Sequence, residues 1–293
     1  MRLPDHGRFT YSAITERPDF CWPDGRRLAV YVALNLEHFA FGDGLGGELA
    51  PGGPAPDVLN YAWREYGNRV GVWRMLEVFD ALSIPVSLLV NSEIYSHCPQ
   101  VVAAFRARGD EVVGHGRSNA ERQGTLAEGD ERTLIEEASR VIATHEGKPP
   151  DGWLGPWISE SHSTPDLLHE QGFGYVLDWC HDDQPTWLRT RTGRILSVPY
   201  PQELNDIPAI MVRRASAHEF ADMIIDQFEE MRSQAESQPL VMGIALHAYL
   251  VGQPFRLRAL RRALEVLAER RDEIWLTTSG AIARHYARLG LGA

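Results

Sequence analysis

The chain of 293 residues is poor in cysteine, with only Cys21, Cys98 and Cys180. An odd number of widely spaced cysteines excludes a disulfide framework and a cysteine-based zinc knuckle, and it favours a reducing compartment. Basic residues are also in deficit, because 29 lysine and arginine residues stand against 40 aspartate and glutamate residues, a formal net charge of -11. This charge disfavours binding to nucleic acid or to anionic lipid.

The sequence also lacks a long apolar run, an apolar leader and an internal repeat. Residues 1–20 are polar, and no stretch approaches the roughly 20 apolar residues of a membrane span. We therefore expect a cytoplasmic protein that does not associate with membranes. No linker rich in serine or glycine divides the chain, so we predict a single catalytic domain over residues 1–293, with residues 1–27 as an N-terminal arm.

Short apolar runs alternate with amphipathic windows from residue 28 onward. The pattern predicts strands at 28–36, 85–90, 111–114, 153–154, 175–177, 240–246 and 274–277. It predicts helices at 70–82, 100–108, 131–145, 163–172, 217–235 and 256–271, and a last helix capped by Ser279. Such repeated units predict an α/β fold whose sheet has about seven mainly parallel strands, with helices outside.

Two segments, residues 39–61 and 181–206, have no regular pattern and are rich in turn residues. Long irregular loops inside a compact α/β domain are usually lids or pocket walls. Within the second segment, the pair Asp182-Asp183 fits a solvated turn and a pocket acid equally well.

Polar side chains follow the predicted strands at the point where each strand ends. The carboxyl ends of parallel strands form the active-site face of α/β folds, because the loops that follow them converge there. We therefore expect these strand-end residues to share one rim. They are Glu37, His38, Asn91, His115, Trp157, Asp178 and His247.

Three of these residues are the strongest candidates for chemistry. Glu37 ends so apolar a strand that it requires a pocket, a cation or a hydrogen-bond donor. His115 lies between two glycines, which let the backbone turn sharply into a cleft, and His247 is well placed as a general acid or base. The structural alternatives are a buried histidine bonded to a neighbouring loop and a histidine that caps a strand end.

These residues resemble the motifs of the polysaccharide deacetylase-like superfamily, which includes carbohydrate esterase family 4 and the nodulation-protein-B-like proteins. Residues 34–37 (LNLE) lie where the family has its acidic first motif, and residues 114–119 (GHGRSN) match its His-x-x-x-His metal motif. Leu246-His247 matches the late Leu-His motif that supplies the general acid. The resemblance runs from residue 28 to about residue 286 and implies a distorted, incomplete (β/α) barrel.

The chain is more similar to one branch of this superfamily, the branch with cyclic imide hydrolases and the allantoinases of this fold. Residues 175–185, 206–208 and 250–254 carry that narrower resemblance. The chain departs from the deacetylase motifs at several positions. Asn35 replaces the base Asp, Glu37 the ligand Asp and Asn119 the second ligand His, while residues 154–157 lack the arginine of the third motif.

The resemblance leaves two ways to activate water. Either a divalent metal ion, zinc by family, is held by Glu37, His115 and Asn119, with His38 as an alternative ligand, or no cofactor is present and Glu37 is the base. In both cases His247 is the general acid. A flat ring with two carbonyls and an N–H requires donors, acceptors and an apolar wall. The predicted substrate-binding residues are Asn35, His38, Asn119, Trp157 and Asp183.

The sequence thus favours a hydrolase of non-peptide C–N bonds that opens a small cyclic amide or imide. The alternatives are an N-deacetylase of an acetylated sugar or peptidoglycan-type substrate, and a non-catalytic family member that only binds a ligand. The expected partner is a small molecule, and the resemblance implies a homo-oligomer, a tetramer by family.

Overall fold

The computed structural model of the protein describes residues 5–42 and 46–292. Within these residues, nine strands form one sheet in which β6 alone runs antiparallel to its neighbour β7. The strands are β1 (Leu28–Leu36), β2 (Val86–Val90), β3 (Glu111–Gly114), β4 (Gly152–Trp153), β5 (Tyr175–Val176), β6 (Thr186–Arg189), β7 (Arg194–Ser197), β8 (Leu240–His247) and β9 (Trp275–Thr277).

The strand order is β6-β7-β5-β4-β3-β2-β1-β8, with β9 also paired to β1. β9 pairs with residues 29–31 of β1, and β2 pairs with residues 32–36, so the two strands share one edge of β1 in succession. The curled, mainly parallel sheet confirms the predicted α/β class and the distorted barrel. The antiparallel pair β6-β7 is an addition, because residues 181–206 show no regular pattern in the sequence.

Helices cover the outer face of this sheet. They are α1 (Val58–Tyr66), α2 (Val72–Leu82), α3 (Ile94–His97), α4 (Pro99–Arg108), α5 (Glu128–Glu146), α6 (Thr164–Glu170), α7 (Ala217–Gln234), α8 (Ala248–Val251), α9 (Pro254–Glu269) and α10 (Ser279–Leu289). Single π-helical stretches cover Gly67–Gly71 and Ile207–Val212. In the described part of the chain, none of the helices has the length and apolar character needed to cross a bilayer.

Two predicted helix boundaries are wrong by a few residues. α5 follows Ala127, and the predicted cap Asp130 instead lies in its first turn, where acidic side chains face the positive end of the helix dipole. The cap of α10 is Thr278, whose side chain accepts a hydrogen bond from the Ala281 N–H, and Ser279 is the first helical residue. The helix α1 also begins inside the segment predicted as irregular.

The alternation of β1 divides the core into two layers. Leu28, Val30, Val32, Leu34 and Leu36 pack against the outer helices, whereas Ala29, Tyr31 and Ala33 pack inside the barrel. Because side chains in a strand alternate between faces, every odd-numbered residue of β1 points inward. The alternation continues past the end of the strand, to the first residues of the rim. That residues 1–293 form one catalytic domain stays a prediction.

Candidate functional site

Three strands end in side chains that point into the barrel. Odd-numbered residues of β1 and β8 face the inside of the barrel, and this alternation also turns Glu37 and His247 inward. Val113 of β3 faces inward too, so His115, two residues later, faces the same side. The strands are aligned at this end, since Asn35 of β1 lies opposite His247 of β8. Strand register and two-residue alternation therefore bring the three strongest sequence candidates to one place.

Glu37 lies between the two histidines and is 6% exposed. Its Oε1 lies 3.6 Å from Nε2 of His115 and 3.6 Å from Nε2 of His247. The Asn119 side-chain amide donates a 2.6 Å hydrogen bond to the same oxygen. The second oxygen, Oε2, is buried and has no hydrogen-bond partner among the described residues.

The surroundings of Glu37 keep it ionised. Burial acts to raise the pKa of Glu37, but the positive charge of His247 and the contacts with His115 and Asn119 outweigh burial and lower the pKa below its ordinary value. Glu37 is therefore a carboxylate at neutral pH, and its Oε2 is available to accept a proton or a hydrogen bond.

His115 is held with one nitrogen directed into the site. Its Nδ1 lies 2.8 Å from the Leu154 carbonyl oxygen, which can only accept, so Nδ1–H is the donor. In the neutral ring Nε2 then carries a lone pair, and this atom is buried without a hydrogen-bond partner in the described ranges. The following Gly116 has a φ of +68°, and an added Cβ there would lie 2.5 Å from the Pro156 side chain. The loop conformation that aims the imidazole thus requires glycine.

A chain of amides sets the orientation of Asn119. Asn91 Oδ1 accepts the His38 N–H at 2.9 Å, so its Nδ2 must donate, and one acceptor is Asn119 Oδ1 at 3.1 Å. The oxygen of Asn119 is therefore turned toward Asn91, and its NH2 group faces Glu37.

This orientation decides how well the predicted metal ligands suit a metal. Catalytic zinc sites use three protein ligands that offer lone pairs. Glu37 Oε2 and His115 Nε2 are unpartnered acceptors, but Asn119 presents N–H donors to Glu37. Glu37, His115 and Asn119 therefore do not fit the three-ligand zinc site of the metal-dependent deacetylases.

His247 is fixed by a carboxylate on its far side. Asp206 Oδ1 accepts from His247 Nδ1 at 2.6 Å, and Asp206 Oδ2 accepts the His247 backbone N–H at 2.7 Å. Asp206 reaches this position because the preceding Asn205 forms a parallel bridge with Ala245 in β8. The Nε2 atom of His247 is thereby directed toward Glu37.

The same neighbours stabilise the protonated form of His247. Burial acts to lower the pKa of His247, but the charges of Asp206 and Glu37 and the hydrogen bond to Asp206 outweigh it, and the pKa is raised above the ordinary 6.5. The protonated form of His247, with an Nε2–H to give, is therefore favoured. The site pairs a proton acceptor, Glu37, with a proton donor, His247.

A cavity of about 190 Å³ opens onto these side chains. Asn35, Glu37, His115, Asn119 and His247 contribute its polar lining, and Leu154, Trp157 and Ile158 belong to its apolar lining. A larger cavity of about 790 Å³ lies between the N-terminal arm and the C-terminal end of the chain, and no strand-end candidate lines it. The smaller cavity is the candidate active site, since it alone of the two contacts the chemistry.

Three predicted substrate-binding residues, Asn35, Asn119 and Trp157, line the small cavity. The Asn35 side-chain amide donates to the Tyr200 hydroxyl at 3.1 Å and to the Leu246 carbonyl at 3.2 Å, so its NH2 group helps to hold the cavity wall. Trp157 is 42% exposed and adopts a φ of +60°, which places an indole at the entrance.

Two other predicted substrate-binding residues lie elsewhere. His38 follows Glu37 directly and projects to the opposite side of β1, toward Glu65 and His97. The Asp183 carbonyl accepts the N–H of Val241 near the start of β8, six residues before His247. At about 3.3 Å per residue this is roughly 20 Å from the catalytic end. The chain after β5 returns to the amino end of the sheet, which the sequence pattern did not indicate.

Sequence reasoning missed Asp206 and Tyr200 as parts of the site. Both follow the antiparallel pair in the second segment predicted as irregular, where no periodicity indicates which face a side chain takes. The only signal for Asp206 was the short match of residues 206–208 to the cyclic-amide branch.

Comparisons with known proteins agree with this architecture. A Schizosaccharomyces pombe protein whose name classes it with the polysaccharide deacetylases is 25% identical over 305 aligned positions, covering 91% of this chain and 92% of that protein. The crystal structure of a probable polysaccharide deacetylase from Pseudomonas aeruginosa PAO1 has a TM-score of 0.82 and 28% identity, covering 92% of this chain and 94% of that one. No family model matches the chain.

The crystal structure of PuuE allantoinase is equally similar, with a TM-score of 0.82 and 28% identity over 96% of this chain and 98% of that chain. By sequence and by structure, the chain is a homologue of the polysaccharide deacetylase-like proteins, and an allantoinase is among its relatives. The superfamily resemblance drawn from the sequence is thereby confirmed.

Proposed function

We propose that the protein hydrolyses a C–N bond in a small cyclic amide or imide, with Glu37 as the base and His247 as the acid. The observation that carries the proposal is the placement of one buried carboxylate between two imidazoles that are held differently. His115 Nδ1 donates to a carbonyl, whereas His247 Nδ1 donates to the Asp206 carboxylate, which favours the protonated ring.

The unpartnered atoms of the site suit an attacking water molecule. Glu37 Oε2 and His115 Nε2 are both buried acceptors without a partner in the described part of the chain. A water that donates to both would direct a lone pair at the substrate carbonyl. Glu37 then takes a proton as the water oxygen bonds to the carbonyl carbon.

The second half of the reaction needs a proton for the leaving nitrogen. His247 Nε2–H gives that proton as the C–N bond breaks, and Asp206 stabilises the imidazolium before transfer. The proton that Glu37 received returns to His247, directly or through solvent, which restores both groups. The balance is one water consumed and one ring opened, to an acid and an amide from an imide or to an acid and an amine from a simple cyclic amide.

The substrate class follows from the cavity and from the relatives. A volume of about 190 Å³ is smaller than the roughly 300–1,000 Å³ of pockets for drug-sized ligands, which favours a compact ring. An imide is also an easier substrate than an acetamide, because a second acyl group on the leaving nitrogen takes up negative charge. PuuE allantoinase, by its name, acts on a small ring and shares this fold at 28% identity.

Deacetylation of an N-acetylated sugar is the second candidate. The names of the Schizosaccharomyces pombe and Pseudomonas aeruginosa relatives favour it. The same Glu37 and His247 would then act on an exocyclic amide, and the exposed Trp157 at the cavity entrance would contact the sugar.

A substrate panel separates the two candidates. Ring opening of succinimide, maleimide, hydantoin, dihydrouracil and allantoin is followed by ultraviolet absorbance, and acetate release from N-acetylglucosamine oligomers is followed in parallel. Each assay is run on the purified protein, after chelation, and after zinc is restored. Opening of a ring that survives chelation supports the proposal with Glu37 as the base.

Other outcomes count against the proposal. Acetate release without ring opening favours deacetylation, and turnover that requires zinc bound at Glu37 and His115 contradicts the metal-independent mechanism. His247→Ala is expected to lose turnover and keep substrate affinity, with the exposed His218→Ala as the matched control. If the wild type and His247→Ala both bind a ring and neither opens it, the protein only binds its ligand.

A further inference from the structure

A second group of ligand-type side chains lies on the outer side of the rim, away from the cavity. The ligand atoms of His38, Glu65 and His97 all lie within 4.8 Å of one another. These residues come from the end of β1, from α1 and from α3. We propose that they bind a divalent transition-metal ion, zinc by preference, at a site separate from the catalytic residues.

The geometry is close to that of a bound ion. His97 Nε2 lies 3.0 Å from each carboxylate oxygen of Glu65, and the rings of His38 and His97 have centroids 4.2 Å apart. Ligand atoms at the zinc distance of about 2.1 Å lie roughly 3.4 Å from each other in a tetrahedron. Small side-chain rotations are enough to bring the third ligand atom to that separation.

One ring nitrogen of His38 has no hydrogen-bond partner. The side chain is 18% exposed, and its Nε2 lies 3.7 Å from Glu93 Oε2, beyond hydrogen-bond distance. Its Nδ1 is buried without a hydrogen-bond partner in residues 5–42 and 46–292. A buried ring nitrogen without a partner is unfavourable, and an ion bound at this atom would satisfy it.

The chemistry of the ligands indicates which ion fits. Two imidazoles and a carboxylate are the donor set of many zinc sites, whereas calcium and magnesium prefer oxygen ligands alone. The carboxylate of Glu65 would also offset part of the charge of the dication.

The ion would take no direct part in the proposed hydrolysis, because β1 separates the two groups of side chains. Glu37 points inward to the cavity, whereas His38 points outward. The His38 backbone nevertheless connects them, since its N–H donates to Asn91 Oδ1 and its carbonyl accepts the Asn119 N–H, each at 2.9 Å. An ion on His38 would stabilise the backbone that positions Glu37 and Asn119.

The ion would also anchor the wall of the cavity. Arg64, the neighbour of Glu65 in α1, donates to the carbonyls of Gly46 and Gly47 at 3.4 and 3.1 Å. Gly46 lines the catalytic cavity. A bond from the ion to Glu65 would therefore hold α1, and through Arg64 the cavity wall, against the end of β1.

The test measures metal content and not turnover. The full chain is stripped with chelator, titrated with Zn²⁺ in a calorimeter, and assayed for bound zinc after dialysis. We expect one zinc per chain in the wild type. His97→Ala, Glu65→Gln and His38→Ala should each weaken zinc binding by more than about 10-fold, since even loss of an outer partner of a ligand costs 10- to 100-fold.

The controls locate the ion. His115→Ala, on the catalytic side, and His218→Ala, on an exposed helix face, should both keep one tight zinc. Zinc should raise the melting temperature of the wild type and leave that of His97→Ala unchanged, which shows that the variant is folded and does not bind. Loss of zinc from His115→Ala with retention in His97→Ala would overturn the proposal, as would a wild type that binds no zinc.

Discussion

Two glutamates, Glu37 and Glu131, are buried among the described residues, and their hydrogen bonding differs. Glu131 in α5 is fully buried, and both its oxygens accept hydrogen bonds. Oε1 accepts from Gln123 Nε2 at 2.9 Å and from the Thr164 hydroxyl, and Oε2 accepts from the Ser161 hydroxyl at 2.5 Å. Glu37 accepts one bond from Asn119 and keeps Oε2 without a partner among the described residues.

The difference separates a structural carboxylate from a chemical one. Desolvation of a charge is costly, and complete hydrogen bonding is the ordinary compensation. Glu131 has that compensation and ties α5 to the loop before α6. Glu37 lacks it on one oxygen and lines a cavity, so its unsatisfied atom is available to water or substrate. Burial by itself does not distinguish the two residues.

The largest expected effect is the loss of turnover when Glu37 is replaced. Glu37→Gln keeps the shape and removes the base, so kcat should fall by about 10²- to 10⁴-fold. Its unfolding free energy should fall only slightly, because the cost of burying the charge and the larger gain from His247, His115 and Asn119 are lost together. Steady-state kinetics and urea unfolding of the same preparation measure both. A loss of stability with retained turnover would remove the distinction between the two glutamates.

The complementary change is expected to act on stability alone. Glu131→Ala leaves the donors of Gln123, Ser161 and Thr164 without their acceptor, and each buried unsatisfied group costs about 1–3 kcal/mol. We expect the unfolding free energy to fall by about 3 kcal/mol, measured by urea denaturation. Turnover per folded molecule should be close to wild type at a temperature where the variant is folded.

A third prediction tests whether Asp206 contributes to turnover although both of its carboxylate oxygens are already hydrogen-bonded. Both oxygens of Asp206 are used by His247, and its charge raises the pKa of that imidazole. Asp206→Asn should lower kcat by about 10- to 100-fold, as loss of an orienting partner does at metal-bound histidines. If Asp206 had only a structural role, its replacement would not shift the dependence of kcat on pH.

The sign of the pH effect follows from the role of His247 as acid. The wild-type rate should fall as pH rises through a pKa above 6.5, because the donor loses its proton. Asp206→Asn removes the charge that raises this pKa, so the falling limb should move to lower pH. An unchanged limb would show that His247 is not the acid that limits the rate.

The smallest predicted effect is at the cavity entrance. Trp157 is 42% exposed, so its truncation removes only part of an apolar wall. Trp157→Ala should raise KM by about 5-fold, roughly 1 kcal/mol, with little change in kcat. A much larger fall in kcat would mean that the indole positions the reacting groups.

Much of the fold was predictable because apolar runs in the sequence mark where the strands lie. The bounds of β1 and β3 match the apolar runs, and all seven predicted strands are present. The antiparallel pair β6-β7 was not predicted, since its short strands carry mixed exposure and no clear alternation. The placement of Glu37, His115 and His247 on one rim also follows from strand ends alone.

Other parts of the site depended on contacts between distant segments. His38 was predicted to bind substrate, but the two-residue period of β1 turns it away from Glu37. Asp183 lies near the amino end of β8 because the chain reverses after β5. Asp206 reaches His247 only through the bridge between Asn205 and Ala245.

The sequence by itself determined which strands end in Glu37, His115 and His247, because periodicity and strand length are local properties. Only the tertiary structure decided which of their atoms lack a partner, since hydrogen bonding depends on residues far apart in the chain. The orientation of Asn119 is the clearest case. It follows from a chain of amides through Asn91 to the His38 backbone, and no sequence pattern encodes that path.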